Sequence, residues 1–177
     1  MGSVGGDDPA ELLAVVDEED RLLEYRARAE CHSDAALIHR SVHVVVDTPY
    51  GRLFQRRGPG KDKGPGLWDS ACSGHVERDE AREATARREL IEELGLSDVE
   101  PAFVGTTLVD GIGETELCGV FHLVHGGPFR LAPPELVALA VVPDGELPGP
   151  LTPAAAQVLA WLSLRVTGRV APGRRPA

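Results

Sequence analysis

The pattern of apolar and polar positions changes period several times along the chain. Leu12–Val16 is a short apolar run closed by the charged turn DEED, which predicts a strand opening a hairpin. Ser41–Asp47 is rich in β-branched residues. Pro49-Tyr50-Gly51 then turns the chain and Arg52–Gln55 returns it, which predicts a second hairpin. The clearest helix is predicted over Glu80–Leu94, with Ala84, Leu90, Ile91 and Leu94 as its apolar stripe and Gly95 as its stop. Pro101–Val109 and Glu116–Val124 read as strands around the turn DGIG, and Leu136–Val142 is a further apolar run. A second helix is expected over Ala154–Val166, with Val158, Leu159, Leu162 and Leu164 inside. Strands outnumber helices too far for a doubly wound parallel sheet, so the class is mixed α/β. Residues 1–10 and 169–177, the latter including APGRRPA, read as flexible tails around one domain over 11–168. The loop from Arg56 to Gly66, RRGPGKDKGPG, is long and lysine-bearing, as binding loops are.

Composition narrows the function. The 177 residues suit one domain, and 42% hydrophobic residues can build a core. No apolar run is long enough for a membrane span, and MGSVGGDDPAE lacks the basic start and apolar core of a signal peptide. Three cysteines (Cys31, Cys72, Cys118) do not make a disulfide framework, and a reducing, cytoplasmic setting is expected. With 18 basic against 28 acidic residues the formal charge is -10, which argues against a broad nucleic-acid surface. A small anion held by a local basic pocket or by cations is compatible with it.

The segment from Gly74 to Leu96, GHVERDEAREATARRELIEELGL, carries the chemistry. Glu89, Glu92 and Glu93 are spaced i, i+3 and i+4, so three carboxylates share one helix face. Such neighbours repel by a few tenths of a kcal/mol per pair, roughly, on an exposed helix. A hard cation such as Mg²⁺ or Mn²⁺ offsets that repulsion. Arg88 stands four residues before Glu92 and can orient a carboxylate. Taken alone, a run of this kind is more often a solvated helix face with ordinary ion pairs.

The wider spacing changes that judgement, because the segment resembles the Nudix box. Gly74, Glu80, Arg88, Glu89, Leu90, Glu92, Glu93, Gly95 and Leu96 fill every fixed position of that motif. The resemblance implies an α/β/α sandwich around a mixed β-sheet. It also implies a metal-dependent hydrolase that cleaves a diphosphate linkage. Glu89, Glu92 and Glu93 would then be metal ligands, one glutamate would help to activate water, and Arg88 would orient the carboxylates.

Histidines form a second set. His32, His39 and His75 precede the pair Glu114 and Glu116, which lie two apart on an expected strand and so share a face. Three imidazoles with two carboxylates suit Mn²⁺ or Zn²⁺, and Mg²⁺ less well. His43 and His125 read as structural. From Arg28 to Phe121 the chain resembles the type I isopentenyl-diphosphate isomerases, a branch of the Nudix superfamily. The likeness rests on His32 and His39, the stretch HRSVHVVV, then Arg56, Arg57, Lys61 and PGLW, then Gly74-His75 and ETELCGVF. It implies one metal on His32, His39, His75, Glu114 and Glu116, and a substrate diphosphate among Arg28, Arg57, Lys61 and Glu93. A guanidinium fork and a lysine point charge suit a phosphate.

The chain departs from those isomerases in its acid–base groups. Ser73 stands where they carry a cysteine before Gly-His, and Cys72 lies one residue earlier, on the opposite side of an extended segment. Their active-site tyrosine is replaced by a stretch holding Val104, Thr106 and Thr107. The box glutamates are all present. The favoured expectation is therefore a Mg²⁺- or Mn²⁺-dependent hydrolase of a small-molecule diphosphate, monomeric or homodimeric, with Glu135 as a loop-borne base. The alternative is an isomerase of an allylic or isoprenoid diphosphate using Glu116 with Cys72 or Ser73. A silent diphosphate-binding module is the third.

Overall fold

The computed structural model describes residues 8–166, so most of the predicted N-terminal tail (1–10) and all of the C-terminal one (169–177) lie outside the described residues. Nine strands and three helices follow in the order β1 Leu12–Val16, β2 Leu22–Ala27, α1 Arg28–Cys31, β3 His39–Thr48, β4 Gly51–Arg57, β5 Trp68–Asp69, β6 Cys72–His75, α2 Arg82–Leu94, β7 Ala102–Asp110, β8 Thr115–Val124, β9 Leu136–Val142 and α3 Pro153–Val166. The strands form one mixed sheet. β3 lies at its centre, antiparallel to β1, β4 and β6 and parallel to β8.

Alternation along β3 places a core on each face of the sheet. Val42, Val44 and Val46 join Ala86, Leu90 and Leu94 of α2 in one cluster. Val45 joins Val120, Val158 and Leu162 in the other, under α3. The result is the expected α/β/α sandwich. Its opening for a ligand comes from β3 and β4, which pair only near their turn, from Val46–Leu53 to Thr48–Gly51. Beyond that they separate, and residues 68–75 enter the gap, first as β5 on β4 and then as β6 on β3.

Several sequence expectations need correction. The acidic helix begins at Arg82, with Ala81 extended before it, and ends at Gly95, whose φ of 71° is the left-handed stop. Ala84 and Ile91 of the predicted stripe are exposed, while Ala86, Leu90 and Leu94 are buried beside Glu89 and Glu93. Two carboxylates occupy the inner face, which counting apolar positions does not detect. Leu164 is exposed on α3, whereas Trp161 packs against the core and under the Arg165 guanidinium. Residues 8–10 are not a free tail, because the Ala29 amide donates to the Pro9 carbonyl.

Candidate active site

A cavity of about 1190 Å³ opens where β3 and β4 part, and both acidic constellations face it. The first is on α2. Gly74 of β6 lies under Glu89 so closely that a Cβ there would fall 1.9 Å from Glu89 Oε1. Any larger residue at 74 would displace that carboxylate. On either side of this contact β6 is tied to α2 by hydrogen bonds. The Ser73 amide donates to Glu93 Oε2 at 3.3 Å, and Arg88 Nη2 donates to the His75 carbonyl at 3.2 Å. Arg88 also forks onto Glu80 through two 3.1 Å bonds and donates to Glu89 Oε1 at 2.7 Å. Arg88 therefore ties the loop before α2 and the backbone of β6 to the middle of the helix.

Electrostatics on α2 favour a cation. Glu89 and Glu93 are buried, while Glu92 reaches solvent. Burial, reinforced by Glu93, pushes the Glu89 carboxyl well above the usual carboxylate range. Burial raises Glu93 to about 7, even though Lys61 pulls it down. Neighbouring carboxyls held in this state bind protons unless a cation takes their place.

The second constellation gathers at the other side of the Gly74-His75 corner. Ligand atoms of His32, His39, His75 and Glu114 all lie within 4.8 Å of one another. Burial lowers all three imidazoles below the ordinary histidine value, so near pH 7 each is neutral with one unprotonated nitrogen, which in His75 is the Nδ1 that accepts from Arg28. It raises Glu114 to about 7, with Glu116 adding repulsion. His39 Nε2 and Glu114 Oε2 are buried and have no hydrogen-bond partner, although His32 Nε2 lies 3.1 Å from that Glu114 oxygen. Orphaned acceptors converging with neutral imidazoles fit a divalent cation. Glu114 sits in the turn before β8, its carbonyl taking the Gly111 amide, and is not on a strand. Glu116 is buried on β8 opposite His39 in register and outside the four-residue group.

The basic residues line the same cavity. Lys61 donates to Glu135 at 2.8 Å across its mouth, and Arg57 reaches Asp69 at 3.4 Å. Arg28 donates to Glu11 at 3.2 Å and to His75 Nδ1 at 3.1 Å. Ser73 faces the cavity. Cys72 does not, since it lies wholly in the apolar core, where burial drives its thiol far above the ordinary range. The alternation of β6 thus removes Cys72 from the candidate acid–base groups. His43 is spent on Ser70, its Nδ1 lying 2.8 Å from that hydroxyl. Sequence reasoning missed Asp62, which meets His32 at 2.9 Å, and Lys63, which donates to the carbonyls of His32 and Ile112 at 2.9 and 2.6 Å. Their place inside the lysine-bearing loop was the available signal.

Comparison with known proteins identifies the family and the fold. The NUDIX domain model matches residues 37–162. A Nudix hydrolase of Pseudomonas aeruginosa is 39% identical over 128 residues, covering 72% of this chain and 75% of the relative. An isopentenyl-diphosphate Delta-isomerase of Streptomyces coelicolor is 32% identical over 152 residues, covering 82% of this chain and 77% of the relative. In fold the chain is similar to a MutT protein from Methanosarcina mazei, with a TM-score of 0.61 at 20% identity, over 71% of this chain and 93% of that one. It is also similar to the NUDIX domain of Shewanella oneidensis NrtR complexed with ADP ribose, with a TM-score of 0.59 at 17% identity, over 71% and 86% of the two chains.

Proposed function

This chain belongs to the Nudix family of enzymes, and from that premise we propose that it hydrolyses a diphosphate linkage in a small-molecule substrate with the help of Mg²⁺ or Mn²⁺. The observation that carries this reading is the buried pair of Glu89, pressed against Gly74 and held by Arg88, and Glu93, which accepts from the Ser73 amide, with both carboxyls raised by burial. Glu89, Glu93 and the more exposed Glu92 would hold the cations. When bound, a cation there neutralises diphosphate oxygens and lowers the pKa of a water. Arg57 and Lys61 bind the diphosphate from the glycine-rich loop, and Arg28 approaches it from α1. Glu135, paired with Lys61, is placed to accept a proton once the anion draws that lysine away. His32, His39, His75 and Glu114 would hold a further ion, with Mn²⁺ or Zn²⁺ favoured by their nitrogen donors. The catalytic unit spans residues 11–168 and works in the cytoplasm as a monomer or homodimer, without nucleic acid. Among the described residues no helix is long and apolar enough to cross a membrane.

The isomerase relatives and the histidine cluster favour a second reading, conversion of an allylic diphosphate. Ser73 weakens it, because a hydroxyl is a far poorer acid than the thiol expected there. Incubating the protein in heavy water with Mg²⁺ and a panel of diphosphates, isopentenyl diphosphate included, divides the readings. Release of phosphate or monophosphate is expected. Deuterium in recovered isopentenyl diphosphate, without cleavage of any compound, would establish the isomerase instead. Binding with neither outcome would leave a silent module. Separately, His39→Ala is expected to strip the transition metal that the wild type retains, measured by elemental analysis. An unchanged metal content would reduce the cluster to coincidence.

A further inference from the structure

The loop RRGPGKDKGPG anchors three consecutive side chains around the cavity. Lys61 reaches Glu135, Asp62 reaches His32, and Lys63 bonds the carbonyls of His32 and Ile112. The Asp62 contact has a consequence for the histidine cluster. Asp62 Oδ2 lies 2.9 Å from His32 Nδ1. An ionised carboxylate can only accept, so the imidazole proton is on Nδ1 and Nε2 keeps the lone pair as an acceptor. That Nε2 is the atom turned toward His75 Nε2 at 3.2 Å and Glu114 Oε2 at 3.1 Å. His32 itself follows the single turn of α1, a short element with little rigidity of its own. Lys63 bolts the loop to the backbone of His32 and to the turn preceding Glu114, so Asp62 is held against the ring from outside the cluster.

We propose that Asp62 is a positioning residue that fixes the His32 imidazole with its Nε2 lone pair in the cluster, so that the glycine-rich loop sets the cluster's cation affinity. This rests on the reading of the four-residue cluster as a cation site. The same loop carries Lys61, so anion binding and cation binding meet on adjacent residues. A carboxylate accepting from the far nitrogen of a ligating histidine raises the ring's basicity and removes its rotational freedom.

Co²⁺ is a suitable probe, because its visible spectrum distinguishes nitrogen ligation at this cluster from the all-oxygen sites on α2. The wild type, His39→Ala, Asp62→Ala and Asp62→Asn are titrated as full chains and melted without metal. Asp62→Ala is expected to raise the half-saturating Co²⁺ concentration about 10–100-fold. Asp62→Asn, which keeps an acceptor but not the charge, is expected to fall between it and the wild type. The metal-free melting temperature should be unchanged in both, which separates positioning from a structural role. An Asp62→Ala titration that overlays the wild type overturns the proposal while leaving the cluster intact. A wild-type titration that His39→Ala leaves unaltered overturns the cluster, and the role of Asp62 with it.

Discussion

Glu93→Gln is expected to lower diphosphate hydrolysis by about 10³-fold and, in the metal-free protein at pH 8, to raise the melting temperature by a few degrees, roughly. Both effects have one cause. Glu93 is buried beside Glu89, and burial has moved its carboxyl from the ordinary range to about 7. Its folded value exceeds its unfolded value, so between these the native state binds more protons than the unfolded chain. The carboxyl's contribution to stability is then complete below about 4.5 and is lost as pH rises through about 7. Above that window the metal-free protein holds a buried charge that Lys61 and the Ser73 amide offset only in part. Glutamine keeps the shape and an acceptor for the Ser73 amide but removes the charge. The stability gain should therefore vanish at pH 4.5, where the wild-type carboxyl is already neutral. Saturating Mg²⁺ should reverse the order at pH 8, since only the wild type gains the full cation contact. Thermal melts at the two pH values, with and without Mg²⁺, measure this. Equal melting at pH 8 without metal, or normal turnover in the variant, would remove Glu93 from the mechanism.

Legibility in the sequence followed the range of the interactions. The box on α2 could be read because i, i+3 and i+4 spacing and a glycine stop are local properties of a helix. Strands β1, β3, β7, β8 and β9 could be read from short apolar or β-branched runs for the same reason. Strands β5 and β6 could not, since two and four residues carry no period and exist only because β3 and β4 separate. Glu114 looked like a strand residue from its spacing with Glu116. Its place in a turn depends on Gly111, where a Cβ would come within 2.7 Å of the Glu114 side chain. The meeting of His32 and His39 with His75 joins segments far apart in the chain, and residue types together with the likeness to the isomerases made it an expectation. Asp62 was marked only by its place in the lysine-bearing loop, because its contact with His32 depends on where a loop of glycines and prolines lands.

The largest effect on stability is expected away from the cavity, at Asp20. Asp20→Ala should destabilise the protein by about 3–5 kcal/mol in urea unfolding. Asp20 closes the β1–β2 turn at a φ of 67° and takes Arg82 through two bonds of 2.6 and 3.1 Å and Arg40 through one of 2.8 Å. Arg82 is the first residue of α2, is buried, and also donates to the Leu117 carbonyl of β8 at 3.1 Å. Its stem lies on Gly119, where a Cβ would come within 2.6 Å of it. One carboxylate thus ties the first hairpin to the helix that carries Glu89 and Glu93 and to the sheet beneath. Burial tends to raise the Asp20 carboxyl, but the hydrogen bonds from Arg82 and Arg40 outweigh it and hold the group below the ordinary value. Its contribution is therefore present at neutral pH and is lost as pH falls through that lowered value. Removing Asp20 leaves the Arg82 guanidinium buried without its main counter-charge, which costs more than the pair itself contributes. Asp20→Asn separates the two parts of the loss, since asparagine tolerates the left-handed backbone and lacks the charge. It should retain most of the destabilisation. Adding Arg82→Met to Asp20→Ala should recover a large share, because no charge is then left buried. A loss below about 1 kcal/mol for Asp20→Ala, as for an exposed ion pair, would mean that α2 is held by its apolar face alone.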